Sequence, residues 1–183
     1  MKRFWFAGVL IIAAFLTLNA QEHSRQPSVQ PGDTWVRFNS PIGRFTVMLP
    51  QNPTEKSETV RSDVGPYTTH LFSVRSVKTV YLVGWVDYAP GFNFGTQSEL
   101  NANRDNFVKA IKATLVTSSN ARFDGYQSLE FTAETTDTIY RSRVYIVGRR
   151  PYQLIAGTLK GTDDSTNVTR FFDSFKITPS ATR

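Results

Sequence analysis

Cysteine is absent from the 183-residue chain. Its absence excludes a disulfide framework, a thiol nucleophile and a thiolate metal site, and leaves nothing after the N-terminal apolar run to carry a bacterial lipid anchor. Histidine occurs only twice, as His23 and His70, so a histidine-rich metal site cannot be assembled. Any Ser-His-Asp arrangement in the folded part must use His70. G-x-S-x-G, H-E-x-x-H, the P-loop and a post-strand G-x-G-x-x-G are all missing, as are repeats and low-complexity segments. No metal or cofactor is expected. Long hydrophobic runs are missing too: the longest candidate, Phe4 to Leu18, has 15 residues, short of the roughly 20 that span a bilayer.

What that run does resemble is the core of a secretory leader. Met1, Lys2 and Arg3 form a positive start, the apolar run follows, and Asn19, Ala20 and Gln21 lead into the polar segment Gln21 to Gln26. Residues 1–20 are expected to be a signal peptide cut after Ala20. Leu18, three residues before that cut, is larger than usual, which leaves a different cut or a retained anchor form open. The expected destination is outside the cytoplasm, periplasmic or secreted. The formal charge is +6; Lys2 and Arg3 take two of those charges away with the leader. The remaining basic residues are scattered from Arg37 to Arg183, with Arg141, Arg143, Arg149, Arg150 and Lys160 nearest to a cluster. Nucleic-acid binders concentrate their charge on a stripe, so nucleic acid is not an expected partner.

Residues 21–33 are polar, carry Pro27, Pro31 and Gly32, and read as a flexible tether. Residues 34–178 read as one domain, long enough to bury roughly 70% of its unfolded surface, and 179–183 as a disordered tail. Strand-like alternation predicts strands over Trp35 to Asn39, Phe45 to Leu49, Glu58 to Arg61, Tyr67 to Val74 and Thr79 to Tyr88. Turn signals at Ser40 to Gly43, Pro50 to Pro53 and Gly65-Pro66 separate them. Leu100, Phe107, Ala110, Ile111 and Leu115 predict a helix from about Thr96, interrupted in its stripe by Asn103 and Arg104. Strands are predicted again over Phe123 to Glu134, Ile139 to Val147 and Tyr152 to Leu159. A closing helix, capped by Asp164 or Ser165, must bury Val168, Phe171, Phe172 and Phe175.

If Thr135 to Thr138 form a hairpin loop, residues whose numbers sum to 273 face each other. One face then pairs Leu129 with Val144, Phe131 with Ser142, Gln127 with Ile146 and Ala133 with Tyr140. The other, expected to be exposed, pairs Glu130 with Arg143, Thr132 with Arg141 and Ser128 with Tyr145. Strands close in sequence, interrupted and closed by helices, predict the α+β class: a single antiparallel β-sheet packed with two main helices.

The segments WVRFNSPIGRFTVMLPQNPTEKSE (Trp35 to Glu58), VYIVGRRPYQLIAG (Val144 to Gly157) and RFFDSFKI (Arg170 to Ile177) resemble a group of uncharacterised exported bacterial proteins. The element order resembles the PsbP/Mog1-type fold, an antiparallel sheet between helices. That resemblance implies a binding or assembly role rather than catalysis and brings no functional residues with it.

The chemistry-bearing candidates are few. His70 lies on a strand, as an ordinary strand residue or a site residue. Asp87, among Tyr81, Trp85 and Tyr88, either starts the turn into Ala89, Pro90 and Gly91 or has a pKa raised by burial for acid-base work. Asp163 and Asp164 read as helix-capping, and the Asn167-Val168-Thr169 sequon as part of the last helix. The loop Asp87 to Gly95 carries Tyr88, Phe92 and Phe94, which either grip an apolar or carbohydrate ligand or pack under the following helix. Arg149, Arg150 and Lys160 form either a contact for an anionic partner or a solvated tip. Three functional readings follow: an exported soluble envelope protein that binds or assembles a protein partner without catalysis; a carrier of a small apolar or amphiphilic ligand between sheet and helix; and a hydrolase working through Asp87 or His70.

Overall fold

Apolar side chains on both faces of consecutive strands force a layered structure, because a strand buried on two sides needs cover on each. The computed structural model describes residues 35–62 and 65–178; the expected leader, tether and tail lie outside them. The strands are β1 (Val36–Ser40), β2 (Phe45–Leu49), β3 (Thr54–Val60), β4 (Tyr67–Arg75), β5 (Thr79–Tyr88), β6 (Thr114–Phe123), β7 (Tyr126–Glu134), β8 (Thr138–Val147), β9 (Arg150–Leu159) and β10 (Lys176–Ile177). Two helices are described, α1 (Thr96–Ala110) between β5 and β6 and α2 (Ser165–Ser174) after β9.

The expected single sheet is two sheets. β3-β4-β5-β9-β8-β7-β6 form a seven-stranded sheet and β1-β2-β10 a three-stranded one, with every pairing antiparallel. The hairpin β1–β2 does not extend an edge because Phe45, Val47 and Leu49 are wholly buried. It lies face-on against the large sheet, where these side chains join Phe72, Val83, Trp85, Tyr152 and Leu154 in one core cluster that α2 completes with Val168, Phe171 and Phe172. The opposite face of the sheet, through Leu82, Val86, Leu129, Phe131, Val144 and Ile155, packs on Leu100 and Phe107 of α1. The α1 stripe includes the polar Glu99 and Asn103, both buried.

The predicted register of β7 and β8 is observed from Ser128↔Tyr145 to Glu134↔Ile139. The face expected to be exposed is so only in part: Arg141 is exposed, but Ser128 and Tyr145 are 1% and 4% exposed, and Phe175, just after α2, stacks on Tyr145. Leu115 belongs to β6 rather than to the first helix, which ends at Ile111 as Lys112 turns to φ +53°. The strand predicted over Phe123 to Glu134 is β7, Tyr126–Glu134, and Phe123 is the last residue of β6, a strand the sequence pattern does not predict. Between them Asp124 and Gly125, at φ +49° and +82°, make the two-residue hairpin that an Asp-Gly pair favours. The edge strands β3 and β6 are exposed along nearly their whole length, so neither carries the alternation by which a strand is recognised.

Candidate functional site

At the end of the large sheet where β5 stops and β9 starts, three segments converge: the β1–β2 turn, the loop after β5, and the β8–β9 turn. Alternation along β4, β5 and β9 puts His70, Trp85, Asp87, Arg150 and Tyr152 on one face. Arg150 donates from Nε to Asp87 Oδ1 at 2.7 Å, from Nη2 to the same oxygen at 2.6 Å, and from Nη1 to the Ile42 carbonyl at 3.0 Å. The Tyr152 hydroxyl donates to the Gly43 carbonyl at 2.9 Å. The β1–β2 turn is thereby fastened to the sheet from below. Its glycine has a steric reason, since a Cβ at Gly43 would lie 2.5 Å from the Phe45 ring.

Asp87 Oδ2 receives the Trp85 indole N–H at 3.1 Å and lies 3.3 Å from His70 Nε2. Beside it, His70 stacks on Trp85 at 4.3 Å and 8°, and Ser57 Oγ lies 2.9 Å from His70 Nδ1. The tautomer with the ring proton on Nε2 faces it to Asp87 and leaves Nδ1 to accept from the Ser57 hydroxyl. Burial holds the imidazole below its ordinary pKa, and the nearby Arg150 adds to that against the opposing pull of Asp87. The order Ser57, His70, Asp87 is that of a proton relay. Ser57, however, is exposed on the edge strand β3, and both oxygens of Asp87 are already engaged by structural donors. The group therefore ties β3, β4, β5 and β9 together.

The aromatic loop is packed. Tyr88 stacks on Phe92 at 4.2 Å and 11°, and Phe94 sits 5.5 Å from Tyr88; all three rings are half-buried, and Tyr88 and Phe94 flank the core beneath α1. Arg149 closes the loop from the β8–β9 turn, donating to the Ala89 carbonyl at 3.0 Å and to the Phe92 carbonyl. The Tyr88 hydroxyl donates to Glu99 Oε1 at 2.7 Å, and Asn103 Nδ2 donates to the same oxygen at 3.0 Å. Glu99 is 4% exposed. Burial raises its pKa, partly offset by those two donors, and also drives the Tyr88 phenol upward.

A raised carboxyl pKa means that the folded state holds the proton more tightly than the unfolded one. The contribution of Glu99 is most favourable below the unfolded pKa and is lost as pH rises through the folded value. Glu99→Gln keeps an Oε1 acceptor for both donors and removes the charge. Its stability relative to wild type is expected to rise between pH 4 and 7, read by urea denaturation at each pH; a pH-independent difference contradicts the burial argument.

Lys160 is not part of this end. Arg150 and Leu159 are the two ends of the ten-residue β9, roughly 30 Å apart at about 3.3 Å per residue, and Lys160 pairs with Glu134 at 2.9 Å. Near it, Asp163 accepts the Ser165 N–H at 3.0 Å. Asp164 occupies the N-cap position of α2 but spends its carboxylate on Thr79 at 2.6 Å and Tyr81 at 2.8 Å. The structure thus joins Asp87, His70, Arg149, Arg150 and the aromatic loop. It adds Ser57 and Glu99, which the sequence analysis passed over, and Trp85, Ile42 and Asn103, which entered there only as a neighbour of Asp87, a turn residue and a break in a helix stripe. Asn103 had a signal: a polar residue on the helix stripe, four after a glutamate.

No group of three or more metal-ligating side chains occurs among the described residues, and no helix among them is long and apolar enough to cross a membrane. No family model and no curated protein matches the chain. Among solved structures, a protein from Bacteroides thetaiotaomicron VPI-5482 aligns with 80% of this chain and 50% of its own, at 14% identity and a TM-score of 0.39. The solution structure of cyanobacterial PsbP (CyanoP) from Synechocystis sp. PCC 6803 aligns with 85% of this chain and 98% of its own, at 13% identity and a TM-score of 0.51. The chain has a PsbP-like α+β fold.

Proposed function

We propose that this chain is an exported, non-enzymatic binding module that docks a protein partner through the sheet end built by the β1–β2 turn, the loop after β5 and the β8–β9 turn. One observation carries the reading. Arg149 and Arg150 are consumed in pinning these segments together, while Ile42, 70% exposed, projects from the pinned turn. An exposed aliphatic side chain on a rigid base loses little conformational freedom on binding, so most of its burial contributes to affinity. Carrying a ligand between α1 and the sheet is disfavoured by packing, since Leu100 and Phe107 are 2% and 0% exposed and fill that layer.

The test is site-specific photocrosslinking in the native envelope, with a benzophenone amino acid at Ile42 and, as control, at Val77, which is 78% exposed near the other end of the sheet. A discrete crosslinked species at position 42 and none at 77 is the expected result; equal labelling at both sites, or none at 42, removes the proposal. Mass spectrometry of the mature N-terminus tests export, with a start at Gln21 expected.

A further inference from the structure

Two adjoining clefts flank α2 on the side of β6, β7 and β8. The larger, about 340 Å³, is lined by Thr117, Ser119, Thr132, Arg141, Thr169 and Asp173 around a floor that includes Phe131 and Phe172. The smaller, about 260 Å³, is lined by aromatic rings, among them Tyr126, Phe123 and Tyr145, and by charged side chains that include the Asp124–Lys176 pair. Arg143, Phe172 and Asp173 belong to both. Arg143 is a fixed post between them: Nε donates to Glu130 Oε1 at 2.7 Å, Nη1 to the Tyr145 hydroxyl at 3.3 Å, and its guanidinium lies 3.7 Å from the centre of the Phe123 ring.

The polar groups around this post differ from those at the docking end. There, Asp87, Tyr88, Arg149 and Arg150 are all engaged within the chain. Here, six of the nine polar side chains of the larger cleft have no side-chain hydrogen bond or ion pair among the described residues, Glu130, Ser142 and Arg143 being engaged, and the Tyr126 hydroxyl has none either. A concave surface with this much unused donor and acceptor capacity is matched to a polar ligand.

The chemistry narrows the ligand class. One cation without a hydrogen bond or ion pair, Arg141, and one such anion, Asp173, line the same cleft, so a ligand of strong net charge of either sign meets a like charge. Four hydroxyls with a guanidinium and a carboxylate offer both donors and acceptors, the set that pairs with vicinal diols. The Tyr126 ring makes no contact with another aromatic ring and leaves a face for the C–H side of a pyranose. Two clefts joined at one post suit more than one ring. We propose that the α2 flank binds a neutral oligosaccharide, with Asp173 and Arg141 holding hydroxyl pairs and Tyr126 stacking beneath an adjoining ring. This site stands independently of the protein-docking surface, which shares none of these residues.

The test is a ¹H–¹⁵N titration of the full chain with maltotriose, cellotriose and tri-N-acetylchitotriose, each to about 10 mM, enough to detect dissociation constants near a millimolar. Progressive shifts confined to amides such as those of Tyr126, Thr132, Thr169 and Asp173 are expected with at least one of the three. Asp173→Ala and Arg141→Ala are expected to weaken that binding by about tenfold with the melting temperature little changed, since neither side chain has a hydrogen bond or ion pair to lose. No shift at these amides with any of the three saccharides overturns the proposal. Shifts undiminished in Asp173→Ala overturn it too, as does a stronger response at the same amides to inorganic phosphate.

Discussion

Phe45→Ala is expected to lower stability by about 3–5 kcal/mol, the range for emptying a buried phenylalanine site. Phe45 is 0% exposed and belongs to the small sheet, yet its ring contacts come from everywhere around the core. Its centroid lies 5.4 Å from Phe175, 5.8 Å from Trp85, 6.2 Å from Phe38 and from Phe72, and 6.4 Å from Tyr152. The ring therefore joins the face-on hairpin to the seven-stranded sheet and to the end of α2. Removing it leaves a cavity that several rigid rings cannot collapse to fill. A domain of this size has about 5–15 kcal/mol in all, so the variant should melt roughly 10 °C lower. Urea denaturation gives the energy and near-ultraviolet dichroism the loss of aromatic order. A cost below about 1 kcal/mol would mean that the small sheet is not packed through this ring.

The second large effect is expected at Arg150. Its guanidinium holds Asp87 at 2.6–2.7 Å and the Ile42 carbonyl at 3.0 Å, so Arg150→Ala frees a carboxylate and the β1–β2 turn together. A fully buried pair broken on one side costs about 3–5 kcal/mol. The Asp87 side chain is 36% exposed, so water takes up part of the lost interaction, and about 2 kcal/mol is the expected cost. Hydrogen exchange should accelerate locally, at residues 42–45, while α1 amides keep their protection. Crosslinking from position 42 should weaken in the same variant, because the turn loses its seat. A variant that loses stability with unchanged exchange at the turn would assign Arg150 to sheet cohesion alone.

How much of this was legible beforehand depended on the physical scale of each signal. β2 and the β7–β8 register were readable because an alternating strand leaves its pattern in adjacent residues, β5 because a strand buried on both faces is a near-continuous apolar run, and Glu130 facing Arg143 follows from counting back from one turn. β6 was not readable. TLVTSSNARF is exposed along nearly its whole length, so burial imposed no alternation on it, and only the Asp124-Gly125 pair marked where it turns. The helix stripe was extended to Leu115 because spacing continued past Ile111, while the chain turned away at Lys112.

The candidate site was legible in its parts and not in its assembly. Asp87, His70, the aromatic loop and the basic pair each stood out in the sequence. That Arg150 spends its charge on Asp87, and Arg149 its donors on the carbonyls of Ala89 and Phe92, depends on residues roughly 60 positions apart. Lys160, close to them in composition, sits at the other end of a ten-residue strand.

The sequence by itself determined the antiparallel α+β class, the absence of thiol chemistry, and which residues must be buried on α2, because these follow from local periodicity and from residue types that are simply missing. Only the tertiary structure decided that the first hairpin forms a second sheet, since its apolar face could have extended an edge as easily as covered a face. Tertiary packing also decided which polar side chains are spent and which are free. Arg149 and Arg141 read alike in the chain; one closes a loop and the other lines an open cleft. The difference is made by strand order, which brings distant segments to Arg149 and leaves Arg141 facing the flank of α2.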